Sequence, residues 1–206
     1  MSEPHSPVVD GRSARRNRNR DLVLDAVLAL FQEGHFSPTP ETVAARSGVS
    51  LRSVYRYVSS RDELFQFAIE RHLEKTADLW RPTPMRDGDF VARLDYFLEY
   101  RLRLYESVAA TNRASRAYSL TSVDVREKLA TARKILRRQT EAQFGQELNA
   151  LSDSTRTATL AAIDALTQFE GLDSLVSLQG LSLGTVRTTL HTTLTTLLQP
   201  NPKGSK

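Results

Sequence analysis

Arg52, Tyr55 and Arg56 are the residues of this 206-residue chain whose types and spacing point most directly to a polar partner. At separations of three and four they share one side of a helix, while Val54 and Val58 share the other. A helix with one buried face and one long-armed polar face suits the major groove of DNA. Each arginine there can make a paired contact to guanine, worth about 1–3 kcal/mol of discrimination. Thr39, Tyr57 and Arg61 stand at or beside expected helix starts, where hydroxyls, N–H groups and positive charge suit phosphate oxygens. Ser50, Leu51 and Ser53, at the start of the same short helix, complete the candidate contact set. A solvated basic face, with Tyr55 and Tyr57 as amphipathic packing, is the alternative reading of the same residues.

A second arginine is out of place chemically. Phe90, Leu94, Phe97, Leu98, Leu104, Tyr105 and Val108 form an apolar stripe, and Arg101 falls in its middle. A guanidinium entering a core is costly unless paired, so Arg101 meets an internal carboxylate, snorkels to the surface, or faces a cavity where an anionic ligand neutralises it. Trp80, Tyr100, Tyr118, Phe144 and Phe169 are the other candidate cavity residues, although aromatics at helical spacing serve equally well as core.

Other chemistries are excluded or unsupported. There are no cysteines, which removes disulfides, thiolate zinc sites and a cysteine nucleophile. His5, His35, His72 and His191 lie at no metal-binding spacing, and no nucleophile, base and orienting group converge in sequence. We therefore expect no enzyme and no cofactor. Apolar runs such as Val23 to Phe31 are too short for a bilayer span, and the N-terminus carries no apolar leader. A cytoplasmic protein without membrane contact is the expectation.

The elements that must position these residues are helical throughout. Leu22, Val23, Ala26, Val27, Leu30 and Phe31 follow the helical period from Asp21 until Gly34. Thr39 before Pro40 caps a short helix to about Ser47, and Gly48 breaks it. Ser50 then caps a second short helix to about Val58, completing a helix-turn-helix. Ser60-Arg61-Asp62-Glu63 reads as a capping box, with the Glu63 carboxylate returning to the Ser60 N–H and a long helix running to Trp80. Further helices are expected over about 88–108, 110–119, 123–147, 154–178 and 183–198, about nine in all, with no strand pattern. The last is rich in threonine, yet Leu183, Val186, Leu190, Leu194 and Leu197 recur every three or four residues.

Charge is distributed unevenly over these elements. Residues 12–61 hold nine Arg against four acidic residues, whereas residues 62–206 hold nineteen basic and eighteen acidic ones. Such a basic end is the footprint of phosphate binding. Residues 1–19 carry Arg12, Arg15, Arg16 and Arg18 without apolar periodicity, and read as a flexible basic arm. The cluster Lys128, Arg133, Lys134, Arg137 and Arg138 reads as a solvated helix face.

The run from Thr39 to Leu64, TPETVAARSGVSLRSVYRYVSSRDEL, resembles the N-terminal signature of TetR-family transcriptional regulators. The resemblance covers about residues 20–67 and includes the Ala-x-x-x-Gly-Val-Ser turn, the recognition-helix Tyr and the Ser-Arg-Asp-Glu-Leu start of the fourth helix. Val58 replaces a usual Phe, Tyr57 a frequent His, and Arg61 a usual Lys, which keeps the phosphate-binding charge. The Gly180-Leu181-Ser182 step before the last helix also resembles many members.

The resemblance implies an all-α homodimer with an N-terminal helix-turn-helix DNA-binding domain and a helical ligand-binding and dimerisation domain. The expected organisation is a basic arm over 1–19, a DNA-binding domain over 20–66, a ligand and dimer domain over 67–200, and a tail over 201–206. Helices 154–178 and 183–198 would pair with their twins, although helix 154–178 could equally be a central helix buried within its own subunit. The function expected is a regulator, a repressor released from double-stranded operator DNA by a small-molecule effector. The alternatives are a constitutive DNA binder and a helical adaptor.

Overall fold

The structure, a computed structural model, describes residues 11–85 and 87–199. The described residues contain helices and no strand, and the chain divides into two compact units between Lys75 and Thr76. No helix among the described residues is long and apolar enough to cross a membrane.

The first unit contains α1 (Gly11–Gln32), α2 (Pro40–Ser47), α3 (Leu51–Tyr57) and α4 (Arg61–Lys75). Its core takes Val23, Val27, Leu30 and Phe31 from α1, Val43 and Val54 from the helix-turn-helix, and Leu64, Phe65 and Ala68 from α4, all buried. The Phe31 and Phe65 rings lie 5.2 Å apart, at the separation favoured by aromatic pairs. Between α2 and α3, Gly48 adopts φ 69°, a left-handed conformation in which its N–H caps the Ala44 carbonyl. That turn lets Val49 enter the core and Ser50 begin α3.

Two expectations change in this unit. The basic arm expected to be flexible is helical from Gly11 onward, forming the first turns of α1. Ala14 and the arginines are good helix formers, and once Val23 to Phe31 are packed each further residue adds a hydrogen bond to an existing helix. Residues 1–10 of that arm, the Arg12 side chain and the expected tail 201–206 lie outside the described residues. Secondly, α4 stops at Lys75, and Ala77–Trp80 form a separate 3₁₀ turn in the second unit.

The second unit is built on α5 (Phe90–Ser119), followed by α6 (Val123–Gln143), α7 (Gly145–Asn149), α8 (Asp153–Thr167), α9 (Phe169–Asp173), a π turn (Ser174–Leu178) and α10 (Leu183–Leu198). Helix α5 packs against α6, α9 and α10. Its two expected segments are one helix, because no Gly or Pro interrupts residues 109–112 and Ala110, Thr111 and Ala114 continue the buried face. The expected helix 123–147 breaks at Phe144, which leaves helical geometry and is fully buried. The expected helix 154–178 is three pieces. Gln168 is extended, and the start of α9 lies so close to the end of α8 that a Cβ on Gly171 would overlap the Ala165 carbonyl. The threonine-rich α10 forms as its leucine spacing requires, with Val186, Leu190, Leu194 and Leu198 buried.

Candidate nucleic-acid interface

Helix α3 is held by caps at both ends. The Ser50 hydroxyl accepts the Ser53 N–H at 3.3 Å, and the Val58 N–H donates to the Val54 carbonyl at 3.1 Å. Val54 and Val58 are buried while Leu51, Arg52, Tyr55 and Arg56 are exposed, so the basic and apolar faces separate along α3. The Thr39 hydroxyl caps α2 by accepting the Thr42 N–H at 3.3 Å.

Several candidate residues have a structural task as well. Tyr57 is the last residue of α3, not a helix start, and only 8% of it is exposed. Its hydroxyl receives a hydrogen bond from Arg56 Nη2 at 3.3 Å, with the guanidinium 5.4 Å from its ring centroid. Arg61 donates to the backbone carbonyl and hydroxyl of Ser37, bracing the loop before α2. The capping box at α4 differs from the expected geometry: Ser60 accepts the Glu63 N–H at 3.1 Å, but the Glu63 carboxylate returns to Ser59, taking its N–H and hydroxyl. Those bonds to Ser59 hold the Glu63 carboxyl below the usual carboxylate range.

Because α1 continues to Gly11, it brings basic side chains beside α3. Arg15, Arg16 and Asn19 from α1 and Ser53, Arg56 and Tyr57 from α3 line one groove of about 530 Å³. Its lining holds three arginines and no carboxylate. Asn19 was not a sequence candidate, and Arg15 and Arg16 were assigned to a flexible arm. The spacing of three and four residues among Arg15, Arg16 and Asn19 was the signal that they share a helix face.

In the second unit the candidate ligand residues separate into distinct environments. Arg101 is 1% exposed, and its Nη2 donates to the Leu136 carbonyl at 2.6 Å and the Thr140 hydroxyl at 3.1 Å. It is neither a surface arginine nor a member of a direct ion pair: Nε and Nη1 have no acceptor. Its guanidinium carbon lies 4.8 Å from the Phe97 ring centroid and 5.8 Å from that of Tyr100. Burial pushes the guanidinium down to about 10, so it remains charged at neutral pH.

Trp80, Arg101 and Phe169 line one cavity of about 20 Å³, together with Leu104, Asn112 and Thr167 among others. Tyr100 lines a second of about 20 Å³ beside Gln139. Phe144 does not reach either one; it is core, with its ring 4.9 Å from Phe97 and 6.4 Å from Phe90. Tyr118, in the last turn of α5, lines neither cavity. Within the basic cluster of α6, Arg133 pairs with Glu170, and Arg137 with Asp164 at 2.9 Å. Among the described residues no cluster of ligating side chains is arranged to hold a metal.

The chain matches no family model and no curated protein. Among solved structures it is similar to GusR from Salmonella enterica, with a TM-score of 0.55 over 88% of this chain and 96% of that one. The two are 20% identical, and the likeness establishes a shared helical fold.

Proposed function

We propose that this protein is a sequence-specific DNA-binding transcriptional regulator of the TetR type, acting as a repressor that a small-molecule effector releases from its operator. The single observation that carries the reading is the surface joining α3 to α1. Arg52, Tyr55 and Arg56 project from a helix whose opposite side is buried, and Arg15, Arg16 and Asn19 flank it with further cationic and amide donors. Major-groove recognition requires the former, and register on the phosphate backbone the latter. The helical fold shared with GusR accommodates this assignment.

In this reading the unit that ends at Lys75 forms the DNA-binding domain, α4 carrying it past the expected boundary at 66, with Thr39, Ser50, Leu51, Ser53, Tyr57 and Arg61 among its candidate contacts. The unit that begins at Thr76 forms the effector and dimerisation domain. Helices α8 and α10 pair with the same helices of a second copy, so that two recognition helices meet two half-sites about one helical turn apart or a multiple of it. The chain passes directly from α4 into the 3₁₀ turn that carries Trp80, so effector and DNA compete through one continuous segment. By linkage, each must weaken the other by the same factor.

Selection from random duplex DNA tests the reading. The expected result is one enriched motif with two related half-sites; recovery of no preferred sequence overturns it. One observation favours a constitutive DNA binder as the second reading: the two cavities of the second unit lined by Arg101 and by Tyr100, at about 20 Å³ each, accommodate little more than a water molecule unless they open.

A further inference from the structure

Two arginines of α5 are buried, and they are treated differently. Arg93, 5% exposed, meets the Glu147 carboxylate and the Gln143 carbonyl. Arg101, two turns further along the same helix, meets only neutral acceptors. Asp164 is near enough to act on it electrostatically without bonding it: its Oδ2 takes Arg137, and its buried Oδ1 has no hydrogen-bond partner. A buried charge without a paired counter-charge is costly, and an anion brought to it would offset that cost. Nε and Nη1 are donors without acceptors, and Arg101 lines a cavity whose other walls are largely aromatic and aliphatic.

A strap of chain borders this site through Trp80. From Leu79 to Met85 the backbone runs across α5 and α6, and side chains of those helices take its polar groups one after another. Tyr100 donates to the Leu79 carbonyl, Gln139 to the Trp80 carbonyl at 2.9 Å, and Tyr96 to the Thr83 carbonyl at 2.9 Å. Gln143 accepts the Met85 N–H at 3.1 Å and donates to its carbonyl at 3.2 Å. The Trp80 side chain, whose indole Nε1 donates to the Thr76 hydroxyl at 3.3 Å, projects from this strap to wall the Arg101 cavity. Leu79 and Trp80 also pack against the apolar cluster of Leu104, Val108 and Leu136, so opening the cavity gives up that contact as well as hydrogen bonds that water can replace.

We propose that the cavity beside this strap is a receptor for a small monocarboxylate, whose charged end takes the free N–H groups of Arg101 and whose apolar end displaces Trp80 to rest among Leu104, Phe169 and Leu172. The inference rests on the effector-controlled reading above and names its ligand class. A carboxylate satisfies the unpaired donors with charge-assisted bonds, and the aromatic walls accept a flat or short apolar body. A neutral isostere leaves the buried charge uncompensated.

Trp80 is the only tryptophan of the chain, so its emission reports on this cavity alone. The full-length protein is titrated with acetate, benzoate and octanoate, with benzamide as the neutral counterpart of benzoate. At least one carboxylate is expected to shift Trp80 emission saturably and raise the melting temperature. Benzamide is expected to bind about tenfold or more weakly than benzoate where benzoate responds, the scale of one charge-assisted hydrogen bond. Arg101→Met removes the charge while keeping an apolar side chain in place, and its expected result is a folded protein that no longer responds. Arg101→Lys is expected to retain a weaker response.

No saturable response to any of the three carboxylates overturns the inference, as does an unchanged response in Arg101→Met. A carboxylate that binds through Arg101 without altering operator affinity upholds this site and removes the release reading. A compound that releases operator DNA independently of Arg101 does the reverse.

Discussion

Arg71 of α4 grips Asp25 of α1 through two bonds, Nε at 2.7 Å and Nη2 at 2.8 Å, and so ties the first helix of the chain to the last helix of its unit. Asp21 joins at 2.9 Å from Arg71, and Lys75 reaches Asp25 at 2.6 Å. The Arg71 hydrogen bonds hold the Asp25 carboxyl down at about 2, against some opposing desolvation. A carboxylate whose pKa is depressed by folding stabilises the fold above its unfolded value, about 3.9, and loses that contribution as pH falls through the folded value. Because both side chains are partly exposed, we expect about 1 kcal/mol from the pair. Asp25→Asn should lower stability at pH 7 by that amount and by almost nothing at pH 1.5, as read by urea unfolding at both pH values.

At the α3 surface, Arg52→Ala and Arg56→Ala should change which base pairs are preferred, with each lost guanine contact worth about 1–3 kcal/mol. Arg15→Ala with Arg16→Ala should instead weaken binding to every sequence and reduce the salt slope by about 1–2. Fluorescence anisotropy over a salt series, on matched and scrambled duplexes, separates the two classes. Equal losses on both duplexes for all four changes would contradict a recognition role for α3.

Gly171→Ala should destabilise the protein by about 1–3 kcal/mol through overpacking, because its Cβ would meet backbone atoms of Ala165 and Leu166 that cannot rotate aside. Gly145→Ala is the control, since a Cβ there meets nothing within 4 Å. Denaturant midpoints for the two variants decide the matter.

The dimer proposal calls for exposed positions on α8 and α10. Leu194 is a poor probe: it is fully buried in its own unit, as is Leu190. Ala161 and Thr192 are exposed on α8 and α10 respectively. Ala161→Glu and Thr192→Glu should each yield folded monomers, with sedimentation reading the mass and circular dichroism the fold. Monomeric wild-type protein at micromolar concentration would end the proposal.

Much of the molecule follows from local periodicity. The Val54 and Val58 spacing sets which side of α3 turns inward, and the leucines of α10 outweigh its threonines because burial of a continuous apolar face exceeds small differences in helix propensity. Capping hydroxyls at Thr39, Ser50 and Ser152 similarly mark helix starts without reference to any distant residue. The presence of Arg101 in an apolar stripe was equally visible, since one helix face is defined by its own residues.

Its surroundings were not, because they come from elements far along the chain. Leu136 and Thr140 of α6 supply the acceptors of Arg101, Asp164 bonds Arg137 through one oxygen, and the Leu79 to Met85 strap is bonded by side chains of α5 and α6. Likewise the break at Phe144 answers to a tertiary demand, an aromatic ring drawn into the core. Helical period and capping are short-range and can be read from a sequence window. Which buried charge finds a partner depends on where helices cross, and that geometry arises only when distant residues share one core.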